Sequence, residues 1–145
     1  MKIGIANDHH GVELKQELTK YLEKLNYNVI NYGCDNTEMV DYPDYAFKVG
    51  EAIQKKEIDF GVLLCNTGIG MSIACNKVKG VRCAKVSDTY DAMMTRRDNN
   101  ANVIALGSRI EIEKLKEILK VFLTTDYADI DRYNRRIDKI NHYGE

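Results

Sequence analysis

The residues with the clearest chemical potential form one run, from Phe60 to Ser72, in which an apolar strand ends at a cysteine and a glycine-spaced turn follows. This order predicts that Cys65 lies at the carboxyl end of a buried strand. It also predicts that the backbone N–H groups of residues 67–72 point into the same crevice, where the next helix begins. Oriented amides at a helix N-terminus bind anions, and a thiol beside them can act as a base or nucleophile. The run therefore predicts an enzyme that acts on a small anionic substrate.

Three better-known loop types do not match this turn. A cysteine phosphatase needs an arginine six residues after its cysteine, and here that position is Met71. A Walker A loop needs Gly-Lys-Ser/Thr, and a dinucleotide fingerprint needs a third glycine where this chain has Ile73. What remains is a phosphate- or oxyanion-binding turn beside a thiol. A buried structural cysteine followed by a tight turn fits the same residues, so the run alone leaves both interpretations open.

A second polar cluster, Asp8-His9-His10, follows the first apolar strand. Acid/base work or phosphate binding is one interpretation, and helix capping by Asp8 beside solvated histidines is another. Metal binding is a third, because an Asp-His-His motif also occurs in manganese phosphoesterases. We expect no metal here, since those enzymes need further aspartates and a much longer chain.

The carboxyl-terminal third of the chain adds arginines and amides. Arg132 and Arg136 lie four residues apart and share one face of a predicted helix. Two such guanidinium groups can grip one phosphate, although an exposed arginine pair is also typical of a solvated face. The run 96–102 carries three asparagines in four residues, which is more amide than a helix end requires.

Composition limits the class of protein. A length of 145 residues predicts one domain, residues 1–145, and a net charge of -1 gives no bulk electrostatic reason to expect nucleic acid or membrane partners. The chain opens directly with an apolar strand, so we expect no secretion signal. Four cysteines without a Cys-x-x-Cys pair predict reduced thiols in the cytoplasm rather than disulfides or a zinc site.

Strand-like and helix-like segments alternate along the chain and must position these residues. Strands are predicted at 2–6, 28–32, 60–65, 81–86 and 103–106. Helices are predicted at 12–25, 45–55, 70–76, 88–97, 112–123 and 132–141. The alternation predicts an α/β, Rossmann-like three-layer sandwich, with a mostly parallel five-stranded sheet, helices on both faces and a C-terminal helix. Ligands of such sheets bind at the carboxyl ends of strands, so Asp8 and His9 are expected to approach Cys65.

Together these motifs resemble the ribose-5-phosphate isomerase B and galactose-6-phosphate isomerase family over essentially the whole chain. The matching segments are Asp8-His9, Asp41-Tyr42-Pro43, Cys65-Asn-Thr-Gly-Ile-Gly-Met-Ser72, Asn76-Lys77, Gly80-Val81-Arg82, Asn99-Asn-Ala-Asn-Val103, Gly107-Ser108-Arg109 and the pair Arg132 and Arg136. The resemblance implies interconversion of D-ribose 5-phosphate and D-ribulose 5-phosphate, without metal or other cofactor. It also implies a homodimer, or a tetramer built from it, whose active sites draw residues from both subunits.

The resemblance further implies a role for each matching residue. The Cys65 thiolate would take the C2 proton and return it to C1 through a cis-enediolate, and Thr67 would help to move a proton between O1 and O2. Backbone amides of residues 66–70 would stabilise the enediolate charge. The remaining matches are expected to bind substrate. Three of them would hold the phosphate, namely His9, Arg132 and Arg136, and three would position the sugar, namely Asp8, Tyr42 and Asn99. Further substrate-binding residues are expected to be Arg109 and the residues after the cysteine, Asn66, Gly68, Ile69, Gly70 and Ser72.

Two residues depart from the family pattern. Asn66 follows the cysteine where the family usually has glycine, and asparagine is the least costly substitute if φ is positive there. Asp98 stands where the family typically has the histidine that opens the furanose ring. We predict that Asp98, or a neighbour such as His10, opens the ring in this chain.

The same residues are compatible with other functions. The changed ring-opening position leaves room for a six-carbon substrate, allose 6-phosphate or galactose 6-phosphate. A non-catalytic phosphosugar-binding module is a different class, and the retention of Cys65 and Thr67 argues against it. A metal phosphoesterase built on residues 8–10 would instead release inorganic phosphate and lose activity with chelator.

Overall fold

The computed structural model describes all 145 residues as a five-stranded sheet between two layers of helices. The strands are β1 (Lys2–Asn7), β2 (Asn28–Asn31), β3 (Phe60–Cys65), β4 (Cys83–Lys85) and β5 (Val103–Gly107). The helices are α1 (Val12–Lys24), α2 (Tyr42–Gln54), α3 (Ile69–Cys75), α4 (Thr89–Asn99), α5 (Ile112–Thr124) and α6 (Asp131–His142). The strand order is β2-β1-β3-β5-β4, with every pairing parallel. The predicted α/β sandwich is confirmed, and its sheet is wholly rather than mostly parallel.

Alternate side chains of the central strands bury two separate cores, because successive residues of a strand point to opposite faces. On β3, Val62 and Leu64 pack with the apolar faces of α1, α4 and α5. Leu63 and Cys65 point the other way and pack with α2 and α3. None of the helices has both the length and the apolar composition needed to cross a membrane.

Several element boundaries differ from the sequence-based expectation, and two of these differences have a local physical reason. Helix α2 begins at Tyr42, three residues earlier than predicted, and Pro43 lies in its first turn. Proline is tolerated there because N–H groups of the first turn donate no hydrogen bond within the helix. Strand β4 is shorter than predicted. The N–H of Arg82 donates to the side-chain Oδ1 of Asn102 at 2.8 Å instead of to a neighbouring strand, so regular pairing starts only at Cys83.

The chain leaves the adjacent strands β1 and β3 toward opposite faces of the sheet, to α1 and α3 respectively. Such a switch point opens a crevice at the carboxyl ends of the two strands. The N–H of Asp8 donates to the carbonyl of Leu64 at 3.1 Å, so hydrogen bonding between the two chain segments continues one residue beyond the end of β1. Asp8 is thereby held at the end of β3, next to Cys65.

Candidate active site

Cys65 ends β3 and is 6% exposed. Its Sγ accepts the N–H of Gly68 at 3.0 Å, and its carbonyl accepts the N–H of Ser108 at 2.8 Å. The residues after the cysteine therefore curl back over the thiol, as the order of strand and turn predicts. This arrangement brings a nucleophilic sulfur and backbone N–H donors to the same point.

The loop over Cys65 lies directly on the backbone of β5, which explains its glycines. Gly68 has a φ of +80°, and a Cβ there would lie 3.0 Å from the carbonyl carbon of Leu106. From the other side, a Cβ on Gly107 would lie 3.0 Å from the carbonyl oxygen of Thr67. Only glycine gives both the left-handed turn and this close approach.

Two hydroxyl groups secure the start of α3 behind the loop. Thr67 Oγ1 accepts the N–H of Ile69 at 3.1 Å, and Ser72 Oγ donates to the Ile69 carbonyl at 2.9 Å. The Thr67 side chain is at the exposed mouth of the loop. Because its oxygen only accepts in this contact, its own O–H proton is free for another partner.

Asn66 holds an arginine at the mouth of the site. Its Oδ1 accepts from Nε of Arg109 at 3.1 Å, which joins the end of β3 to the segment after β5. The φ of Asn66 is not positive. The conditional explanation that asparagine replaces glycine in a left-handed conformation therefore does not apply, and the side chain acts through its amide oxygen instead.

Asp8 and its two histidines lie at the same edge of the sheet. Buried Asp8 accepts the N–H of His10 through Oδ1 at 2.9 Å, and its Oδ2 lies 3.3 Å from Nδ1 of His10. Nδ1 of His9 accepts the N–H of Val40 at 3.3 Å, so the neutral ring carries its proton on Nε2. One ligand atom from each of the three lies within 4.8 Å of the others, a spacing that could admit a metal ion. Asp8 thus both caps a turn and contacts a histidine.

Tyr42 covers the loop from the α2 side. A Cβ on Gly70 would lie 2.7 Å from Cζ and 3.0 Å from Oη of the Tyr42 ring. The ring therefore rests on the loop that follows Cys65 and is 40% exposed. We call Cys65, residues 66–72 (the loop and the first turn of α3), Asp8, His9, Tyr42 and Arg109 the carboxyl-edge group.

Asp98 and Asn99 lie at the opposite edge of the sheet. They end α4, and the Asn99 carbonyl accepts Nε of Arg82, the residue before β4, at 3.1 Å. Strand β5 starts at this edge with Val103, and its last residue, Gly107, is the one that lies opposite Cys65. The distance along the strand from Val103 to Gly107 is about 13 Å. The structure does not bring Asp98 or Asn99 to the thiol of their own chain.

Helix α6, with exposed Arg132 and Arg136, is tied to the same opposite edge. The N–H of Ala128 donates to the Arg97 carbonyl at 3.0 Å before α6 begins, and Asn141 accepts from Arg82 at 2.9 Å near its end. We call Asp98, Asn99, Arg132 and Arg136 the amino-edge group. Within it, Asp98 accepts from Nε of Arg97 at 2.8 Å, and this hydrogen bond raises the pKa of Arg97.

Asn7 and Arg82 support the site but are not among the site residues that the sequence predicts. Asn7 is wholly buried, and its Nδ2 donates to the Asp8 carbonyl at 2.8 Å. A polar residue closing an otherwise apolar strand was a usable signal. Arg82 was recognised only as part of a matching motif, without a role, and its contacts depend on long-range packing that no local pattern encodes.

Comparison with known proteins places this geometry in a family. The Ribose/Galactose Isomerase family model matches residues 3–140. A candidate sugar phosphate isomerase of Bacillus subtilis, YwlF, is 46% identical over all of this chain and 98% of its own. Ribose-5-phosphate isomerase B of Escherichia coli is 39% identical, over 96% of this chain and 93% of its own. D-erythrulose-4-phosphate isomerase of Pectobacterium atrosepticum is 40% identical, over 99% and 95%.

Solved structures agree with the sequence comparison. Ribose-5-phosphate isomerase B of Clostridium thermocellum superposes with a TM-score of 0.94 at 42% identity, over 97% of this chain and 95% of its own. The Mycoplasma genitalium enzyme, solved with bound ribulose-5-phosphate, superposes with a TM-score of 0.91 at 38% identity, over 98% and 95%. Both solved structures therefore match this chain over almost its whole length.

Proposed function

The chain belongs to the ribose/galactose isomerase family and is a sugar-phosphate isomerase, and we propose that it interconverts D-ribose 5-phosphate and D-ribulose 5-phosphate with Cys65 as the base. The observation that carries this proposal is the buried Cys65 thiol under a loop whose Gly68 N–H points at the sulfur. The names of the Escherichia coli relative and of the ligand in the Mycoplasma genitalium structure support the five-carbon substrate.

The proposed reaction moves one proton between neighbouring carbons. The Cys65 thiolate takes the proton from C2 of the open-chain aldose. The electron pair of the broken C–H bond forms the C1–C2 double bond, and the π pair of the C1 carbonyl moves to O1, which gives a cis-enediolate. Backbone amides of residues 66–70 stabilise its negative charge. Thr67, whose O–H proton is free, moves a proton between O1 and O2. The thiol then returns its proton to C1, which yields the ketose.

Substrate binding in this proposal needs a second copy of the chain. His9 presents Nε2–H to the phosphate from the carboxyl edge, while Arg132 and Arg136 lie at the amino edge. A homodimer, alone or paired into a tetramer, joins the two groups if the amino edge of one copy meets the carboxyl edge of the other. Exposed apolar side chains of α3, Ile69 (51%) and Ile73 (61%), support coverage of this surface by a partner.

Ring opening has two candidates, which lie at different edges. Asp98 of the partner subunit would reach the sugar together with Asn99, consistent with the family position that it occupies. His10 needs no partner, because it lies at the carboxyl edge and contacts Asp8 at 3.3 Å. Full activity of an Asp98→Asn variant on the cyclic substrate would exclude Asp98 and leave His10.

The sugar itself is the second point to test. The Pectobacterium atrosepticum relative is named for a four-carbon sugar phosphate, so family membership does not select one substrate. Allose 6-phosphate or galactose 6-phosphate remains the alternative to ribose 5-phosphate. A comparison of kcat/KM across four-, five- and six-carbon phosphates decides between them.

The decisive experiment measures ribulose 5-phosphate formation, with and without chelator, for wild type and Cys65→Ala. We expect chelator-resistant turnover that falls about 10⁴-fold in the variant, since the general base is removed. Cys83→Ala is the matched control, because this half-buried thiol begins β4 and belongs to neither the carboxyl-edge nor the amino-edge group. Chelator-sensitive release of inorganic phosphate would indicate a phosphoesterase. Sugar binding without turnover on any substrate would indicate a binding module.

A further inference from the structure

Arg82 makes an unusual set of contacts at the amino edge. Its guanidinium donates to backbone carbonyls of Asn99 (Nε, 3.1 Å) and Asn100 (Nη2, 3.0 Å), and to Oδ1 of Asn141 on α6 (Nη1, 2.9 Å). No carboxylate contacts it, and burial lowers its pKa. A planar fork of donors suits several fixed acceptors at once. Arg82 therefore ties neutral oxygens together rather than balancing a charge.

A second arginine, Arg96, also holds the segment after α4 that Arg82 contacts. Arg96 is 8% exposed and donates to Oδ1 of Asn100 at 2.8 Å and to the Ala101 carbonyl at 2.7 Å. Its guanidinium lies 4.7 Å from the centre of the Phe60 ring. Asn100 between the two arginines has a φ of +47°, a conformation that non-glycine residues adopt rarely. The backbone that presents Asn99 is thus held in one uncommon shape.

Arg82 also connects the two elements that carry the amino-edge group. Asn99 ends α4, whereas Asn141 lies on α6 together with Arg132 and Arg136. The Asn141 contact is the side-chain hydrogen bond by which α6 meets Arg82. A shift of either element relative to the other would change where the sugar-binding amide and the phosphate-binding arginines lie.

We infer that Arg82 is a positioning residue that acts on the partner's active site. It holds Asn99 and α6 so that both reach the substrate at the partner's Cys65, while the thiol of its own chain lies at the other edge of the sheet. The inference rests on the proposed function, in which the amino-edge group binds substrate across a dimer.

Steady-state kinetics of Arg82→Met and Arg82→Lys give the first test. We expect kcat/KM to fall about 10²-fold in each variant, because a small displacement of substrate-binding groups lowers the rate by about this factor. Part of the loss should be a higher KM. Lysine should not rescue, because its three N–H groups share one nitrogen and cannot span acceptors that Arg82 reaches from three separate nitrogens. Arg135→Met, an exposed arginine of α6, is the matched control. A loss of folded enzyme alone would lower apparent kcat and leave KM unchanged, and that result would overturn the inference.

Mixed dimers give the second test. Differently tagged Cys65→Ala and Arg82→Met chains are co-expressed, and the heterodimer is isolated through both tags. If Arg82 acts across the interface, one site carries both defects and the other carries none, so roughly half of the wild-type turnover returns. Return of activity also shows that the Arg82→Met chain folds.

A parallel heterodimer separates this inference from the proposed function. Cys65→Ala is paired with Asn99→Ala, which the proposed function itself predicts to recover. Recovery with Asn99→Ala but not with Arg82→Met would place the effect of Arg82 within its own chain and overturn the inference alone. Recovery with neither would overturn the shared site, and the inference with it.

Discussion

The residues at the two edges of the sheet are held in place by different kinds of chemical group. At the carboxyl edge, adjacent strand ends bring Asp8, Cys65 and Arg109 together, and backbone N–H groups and glycines shape the loop. At the amino edge, the side chains of Arg82 and Arg96 hold carbonyl and amide oxygens of residues 99–101. One edge is preorganised by the backbone and the other by guanidinium groups.

The separation of the two groups follows from the parallel topology. Residues that follow a strand collect at one edge, and residues that precede a strand collect at the other. Cys65 follows β3, whereas Asn99 precedes β5. One chain therefore cannot bring its two groups together, and only the facing edges of two copies can form the complete proposed site.

Among variants that keep the Cys65 thiol, the greatest loss is expected at the carboxyl edge, which the backbone organises. Gly68→Ala places a Cβ 3.0 Å from the backbone of Leu106 at a φ of +80°, so the loop must move away from the thiol. We expect kcat to fall about 10²- to 10³-fold, as for a lost oxyanion donor, and the free energy of unfolding to fall by about 1–3 kcal/mol. Isomerase kinetics and urea unfolding measure the two effects.

Gly144→Ala is the matched control for this change. Gly144 has a φ of +88°, but a Cβ there would meet nothing within 4 Å, so the two variants share only the backbone strain. It should lose stability without losing kcat. Equal kinetic losses in both variants would show that the close packing of the loop on β5 is not what organises the carboxyl edge.

A smaller effect tests the one arginine that the carboxyl edge uses. Asn66→Gly removes the acceptor of Arg109 Nε and restores the residue that the family usually has. We expect KM to rise about three- to tenfold with kcat nearly unchanged, because a hydrogen bond to a charged group contributes about 1.5 kcal/mol or more. Arg109→Met should raise KM at least as much. An unchanged KM in Asn66→Gly would mean that Arg109 needs no support from this amide.

The smallest expected effect concerns the loop that flanks the carboxyl edge. Buried Lys15 donates to the carbonyl of Cys34 and to Oδ1 of Asp35 at 2.7 Å, and its hydrogen bond lowers the pKa of Asp35. A lowered folded-state pKa contributes stability above the unfolded pKa, near pH 4, which is lost as pH falls through the folded value. Asp35→Asn should therefore cost up to about 1 kcal/mol at pH 7, since the carboxylate is exposed, and less at pH 3.

Urea unfolding at pH 7, 5 and 3 checks this dependence. Glu17→Gln, an exposed carboxylate without a hydrogen-bond partner, is the control and should differ little from wild type at every pH. A stability difference for Asp35→Asn that persists undiminished at pH 3 would assign the effect to packing of the loop rather than to the ionised carboxylate.

Much of the fold was predictable because its signals are local. Apolar runs and helical spacing placed all five strands and six helices, and the glycine turn after Cys65 predicted a loop that returns to the thiol. The start of β4 was harder to predict, because the N–H of Arg82 donates to the side chain of Asn102 and not to the backbone of a neighbouring strand. The role of Asn66 was also missed, because its partner Arg109 lies 43 residues further along the chain.

The mostly parallel α/β class, the family and the residue types available for chemistry could all be predicted from the sequence, because each rests on periodicity or on motifs at short spacing. Tertiary structure alone decided which of those residues meet. Strand order, set by the packing of two cores against opposite faces of the sheet, placed Cys65 with Asp8 and Arg109 and sent Asn99 and Arg136 to the far edge. A distance across a sheet depends on such long-range packing, and no spacing along the chain records it.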